Sequence, residues 1–201
     1  MDSDNQDELR KQVEVLRGYA DQGRSLPIVS GPVFIVWGLV LAGAGWLART
    51  ALLRGDSASV PWIWVGAIAL GWTASMAIKR MLRLRAREGG ASYGNHLTRV
   101  IWRAAGLVIS AYVLLAILVK SRQADIPSVA LLISGVAFFA TAAAANSRIL
   151  YVAGAGLIGT GLLAIGLHWG AADVQLAVAA AGLLFLALPG FYLVLNARSS
   201  D

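Results

Sequence analysis

Six apolar blocks, each about as long as a bilayer is thick, set the terms on which this chain can fold. They occupy residues 32–52, 60–78, 100–119, 126–145, 149–168 and 174–195. About 20 apolar residues carry an α-helix across the hydrocarbon core. No water serves the backbone there, so each block must satisfy its own peptide groups as a helix. The pattern predicts an all-α, six-helix transmembrane bundle preceded by a short cytoplasmic amphipathic helix. Composition agrees, with 58% hydrophobic and 14% charged residues and a mean hydropathy of +0.67. Soluble domains carry about 45–50% and about 25%. A water-facing domain of 201 residues has no interior for that excess, which excludes a soluble enzyme.

Orientation follows from lysine and arginine, which favour cytoplasmic loops. With six spans both ends of the chain share one side. That side collects Arg10, Lys11, Arg17, Arg24, Lys79, Arg80, Arg83, Arg85, Arg87, Arg99, Arg103, Arg148 and Arg198. The other holds Arg49, Arg54, Lys120 and Arg122. Thirteen against four predicts cytoplasmic termini. The first thirty residues are polar and net acidic, so no cleaved secretory signal is expected and the first block stays as a span. Tryptophans repeat the pattern. Trp46, Trp62, Trp64 and Trp169 are expected at the outer interface and Trp102 at the inner one, while Trp37 and Trp72 are expected to pack between helices.

Residues 1–30 form a cytoplasmic segment. Ser3 and Gln6 have capping-box spacing, and Asp7 and Lys11 are an i,i+4 pair, so a helix is predicted over residues 4–22. Leu9, Val13, Leu16 and Ala20 share one narrow apolar stripe. The segment has six acidic and four basic residues, a poor match to an anionic leaflet, which favours a basic polar face. A protein surface suits the stripe better, with Leu9, Val13 and Leu16 as partner contacts. Docking on its own bundle explains it equally well. Gly23, Ser25 and Pro27 then break the helix before the membrane.

The loop 79–99 opens with KRMLRLRAR, a charge patch of Lys79, Arg80, Arg83, Arg85 and Arg87 for acidic lipid or an acidic partner. It also serves as an ordinary topology signal. Nucleic acid is not expected, because only Tyr93 is near as a stacking ring.

Small residues are dense in the fifth block, at Gly154, Gly156, Gly159 and Gly161, and in the first, at Gly38, Ala42, Gly43 and Gly45. Such spacing lets helix backbones approach closely, within one bundle or across a homodimer. Pro189 and Gly190 predict a bend in the sixth span.

No Asp, Glu or Lys stands in the middle of a span, which argues against an ion- or proton-coupled transporter. Thr73, Ser75, Ser110, Tyr112, Ser134, Thr141 and Thr160 offer neutral contacts only. The two histidines, His96 and His168, fall on opposite faces and cannot share a metal or a catalytic triad. Cysteine is absent, which removes disulfides, thiolate metal sites and a cysteine nucleophile. No nucleotide or hydrolase motif is present, so no catalytic residue, cofactor or metal is expected.

Residues 30–38 have the form SGxxFIxWG, and residues 188–192 read LPGFY. Together they resemble a loose group of small, multi-pass, uncharacterised bacterial inner-membrane proteins. The resemblance implies a bacterial plasma membrane and six spans, and brings no activity with it. The function expected is a non-enzymatic regulatory, sensory or assembly subunit acting through protein contacts. The alternative is a small permease or channel-like protein for a neutral or lipophilic solute.

Overall fold

The computed structural model describes residues 13, 30–85, 93–118 and 125–198. These residues form α1 (Ser30–Leu53), α2 (Val60–Arg85), α3 (Tyr93–Leu118), α4 (Asp125–Ala145), α5 (Arg148–Gly166), α6 (Ala171–Ala181) and α7 (Leu188–Arg198). A π-helical segment, Gly182–Ala187, joins α6 to α7, and no strand occurs among the described residues. Six stretches are long and apolar enough to cross a membrane: α1, α2, α3, α4, α5, and α6 with α7 as one. The protein is an all-α, multi-pass membrane protein. Its helices match the apolar blocks to within a few residues, except that α2 runs on to Arg85 and α3 starts early, at Tyr93.

Two antiparallel seams hold the bundle, and both are built on small residues seven apart. In the first, Gly31, Gly38 and Gly45 of α1 face α7, the π-segment and α6 in turn. A β-carbon on Gly45 would stand 2.6 Å from the Gln175 carbonyl oxygen, and one on Gly31 3.1 Å from that of Gly190. In the second, Ser128, Gly135 and Ala142 of α4 face Ser147, Gly154 and Gly161, and all six are buried. Gly135 and Gly154 approach each other's carbonyl oxygens to 2.9 Å at the β-carbon position. A seven-residue repeat keeps one stripe turned to a neighbouring helix along its length. Lipid is as apolar as leucine, so association here depends on such close van der Waals approach.

The π-segment has a specific cause. Gly45 lies opposite residues 175 and 179, and Gly31 opposite residues 190 and 194, each pair four apart. Gly38 lies opposite Gly182 and Ala187, which are five apart. The sixth span therefore has one residue too many for the α1 repeat, and one widened turn absorbs it. Leu188 donates its N–H to the Leu183 carbonyl, the i−5 bond of that turn. Pro189 and Gly190, where a bend is expected, lie just past this π-turn in the resumed helix and are both buried.

Three spans end alike. The residue after each helix cap has a positive φ: Gly55 (78°), Asn146 (47°) and His168 (50°). Beyond each, Asp56, Ser147 and Trp169 donate N–H bonds back to Ala51, Ala142 and Ala164 at 3.0, 3.0 and 3.1 Å. This motif returns orphaned carbonyls to the chain at a helix end. It also makes the tight α4–α5 hairpin at Asn146.

Among the described α-helices, α2 packs on α1 alone and α3 on α4 alone. Among the described residues, no Cα of α1 comes within 8 Å of one in α3 or α4. Rings bridge that distance instead. Phe34 of α1 stands 4.8 Å from Phe138 of α4 and 6.1 Å from Trp102 of α3, centroid to centroid. Trp102 meets Phe138 edge to face at 5.3 Å.

Candidate functional site

Two groups of residues qualify as a site: the charged continuation of α2, and the shielded polar atoms inside the bundle. α2 is unbroken from Val60 to Arg85, although its apolar window closes at Ile78. Seven further residues at 1.5 Å each carry the helix about 10 Å beyond that window. Lys79, Arg80, Arg83 and Arg85 lie on this projection, and Arg80 is exposed. Arg87 lies outside the described residues. So do Leu9 and Leu16, whereas Val13 is helical and 56% exposed.

Ser30, where α1 begins, stands beside the base of this projection. Trp37 of α1 lies across Gly71 of α2, its ring 2.8 Å from a β-carbon position there. The two helices are antiparallel, so Ser30 is level with Ile78. Gly31 meets Gly190 and Val194, so the end of α7 reaches the same face. Chain entry, chain exit and the basic end of α2 converge on one side of the bundle.

Inside the spans, five shielded polar atoms have no hydrogen-bond partner: Arg49 Nε, Trp64 Nε1, Ser75 Oγ, Trp102 Nε1 and Gln175 Oε1. Buried polar groups are normally paired. Arg49 also places its guanidinium 5.9 Å from the Trp46 ring centre. Thr73, Ser110, Thr141 and Thr160 bond the carbonyl one turn back, at 2.7–2.9 Å. Ser75 does not, although it is only 5% exposed.

No family model, curated protein or solved structure matches the chain.

Geometry corrects several expectations. Trp72 is 57% exposed and faces outward, not a neighbouring helix. Trp102 is a different case: its ring joins the cluster with Phe34 and Phe138, which leaves its expected level at the inner interface untouched. Gly43 and Gly159 meet nothing within 4 Å, because the stripe that packs repeats every seven residues and they fall off it. Trp37 does pack between helices, against Gly71. Among the described residues no three His, Cys, Asp or Glu side chains gather as metal ligands. Sequence reading passed over Gln175. Its signal was available, as the lone carboxamide in the first half of the sixth apolar block.

Proposed function

We propose that this protein is a non-enzymatic membrane subunit, regulatory, sensory or assembly in kind, that works through protein contacts at one face. The single observation that carries the reading is the unbroken α2 helix. It carries residues 79–85 on a helical projection, with Arg80 exposed, beside the point where the N-terminal segment joins α1. The two glycine seams support it, since they describe a scaffold and not a pathway for charge. The distribution of lysine and arginine supports a cytoplasmic location for both termini and this face. The SGxxFIxWG approach to α1 supports a bacterial plasma membrane. Leu9, Val13 and Leu16 are the apolar contacts that the reading assigns to a cytoplasmic partner or a second copy of the chain.

A photocrosslinking residue at Arg80 and at Leu16 tests this in cells. One cytoplasmic protein captured from both positions is the expected result, with capture lost on reversing Arg83 and Arg85 to Glu. Intact associations and phenotype after deletion of residues 1–26 count against it.

One observation favours a second reading, a small permease for a neutral or lipophilic solute: the five shielded polar atoms without partners. Flux in proteoliposomes over a panel of neutral solutes distinguishes it from the first.

A further inference from the structure

Gln175 is 5% exposed, and its Oε1 accepts from nothing. It stands on the first glycine seam, because its own carbonyl oxygen is 2.6 Å from the β-carbon position of Gly45. Arg49 lies one turn beyond Gly45 on α1, inside an apolar window that runs to Leu53. Its Nε–H is shielded and donates to nothing. An acceptor without a donor and a donor without an acceptor thus stand on two helices that pack against each other. Either one alone is costly where no water reaches it.

The two side chains converge. Along α1 the seam runs from Gly31 to Gly45, and along the sixth span it runs back from Val194 to Gln175, so the helices are antiparallel. Gly45 lies opposite residues 175 and 179. One turn further on, Arg49 stands opposite residues 171 and 175. Side chains on a helix lean toward its N-terminus. Arg49 therefore leans back toward Gly45, in keeping with its guanidinium 5.9 Å from the Trp46 ring centre. Gln175 leans toward residue 171. In an antiparallel pair these opposed leanings bring the two side chains alongside each other. A second shielded donor, Trp64 Nε1, has the wrong helix for this acceptor, since α2 packs on α1 and not on α6.

The rest of the seam carries no such mark. Gly31, Gly38, Ala42 and Gly45 face Val194, Gly190, Ala187, Gly182 and Ala179, all apolar, and most of them small enough for close approach at more than one offset. A buried polar contact is the best-attested device for fixing register between helices, at some cost in stability.

We propose that Arg49 and Gln175 form a clasp, with Arg49 Nε–H donating to Gln175 Oε1, that fixes the register of the sixth span against the first. The clasp closes by side-chain rotation and involves no covalent step and no ligand. It is independent of the first reading above, and it takes two of the five shielded atoms away from the second.

Unfolding of the full chain in mixed micelles gives the sign. Gln175→Leu should raise the unfolding equilibrium constant about 12- to 160-fold, the range for a hydrogen bond to a charged group of roughly 1.5–3 kcal/mol. Arg49→Met should do the same, and the double variant should be no worse than either alone. A constant that is unchanged or lowered in Gln175→Leu, as removal of a solitary buried carbonyl predicts, overturns the clasp, and so do two losses that add in full. Register is read from spin labels at Leu53 and Ala171, both exposed. Their separation should be single-valued in the parent, and should broaden or shift by about one helical pitch, roughly 5.4 Å, in Gln175→Leu. A separation that stays sharp and unshifted overturns the register role. Should the variants not fold, solid-state NMR of the unaltered chain with isotope-labelled arginine and glutamine decides. Gln175 is the one glutamine within an apolar block. Dipolar transfer from an arginine Nε to a glutamine Cδ that is protected from a paramagnetic agent in the water is expected, and its absence overturns the proposal.

Discussion

The carbonyl oxygen of Gly182 stands 2.6 Å from the point that a β-carbon on Gly38 would occupy, and the Ala187 amide nitrogen is closer still. Both are backbone atoms of the facing helix, held by its hydrogen bonds, and neither moves as a side chain would. The first seam is thus tightest at its centre, where the π-turn lies.

Gly38→Ala should for that reason destabilise the bundle by about 1–3 kcal/mol, the usual cost of overpacking. Gly43→Ala, where nothing lies within 4 Å, should stay within about 0.5 kcal/mol of the parent. Reversible unfolding in mixed micelles, followed by circular dichroism, checks both.

Gly156 offers a different case, because its obstacle is a side chain. The Phe185 ring lies against the β-carbon position of Gly156. Gly156→Ala alone should lose about 1–3 kcal/mol, and Phe185→Leu in the same chain should recover part of it. A double-mutant cycle with a coupling below about 0.5 kcal/mol would show that the ring is not the obstacle.

The helix ends predict opposite signs at equivalent positions. Gly55 and His168 both follow helix caps with positive φ. Only glycine adopts that conformation freely. Gly55→Ala should lower stability by about 1 kcal/mol, and His168→Gly should raise it by up to about 1 kcal/mol. Melting temperatures of the two variants, set against the parent, give the sign directly.

The absence of cysteine makes orientation simple to measure. A single cysteine at Ser57, exposed between α1 and α2, should react in whole cells with a membrane-impermeant maleimide. One at Arg80 should react only after the membrane is opened. The reverse pattern overturns the cytoplasmic placement of both termini.

The spans were legible because lipid removes alternatives: an uninterrupted apolar block of this length has one backbone solution. Packing was legible only in part. Gly38 and Ala42 stand out four apart, and both do meet the sixth span near Gly182. The spacing that organises the seam is the longer one, Gly31 to Gly38 to Gly45. A search for pairs four apart passes over it and retains Gly43, which packs on nothing. Trp72 and Trp102 show the complementary gap. Depth follows from sequence position, but which way a ring turns depends on the neighbour it meets. Ser75 is a similar case. Its residue type announces a hydroxyl, and only the tertiary structure reveals that the hydroxyl is not returned to its own helix.

The first seam also sets the order of events during synthesis. Gly45 meets Gln175 and Ala179, so a residue in the second half of the first span waits for one made 130 positions later. At about 5–20 residues per second, that is a delay of roughly 6–26 s. The α4–α5 pair, joined by two residues, needs no such wait. A ribosome stalled before residue 170 would leave the first span in lipid with its three glycines uncovered. Proteins that escort nascent spans have their longest task here at the first helix to enter the bilayer, which is the last to find its partner.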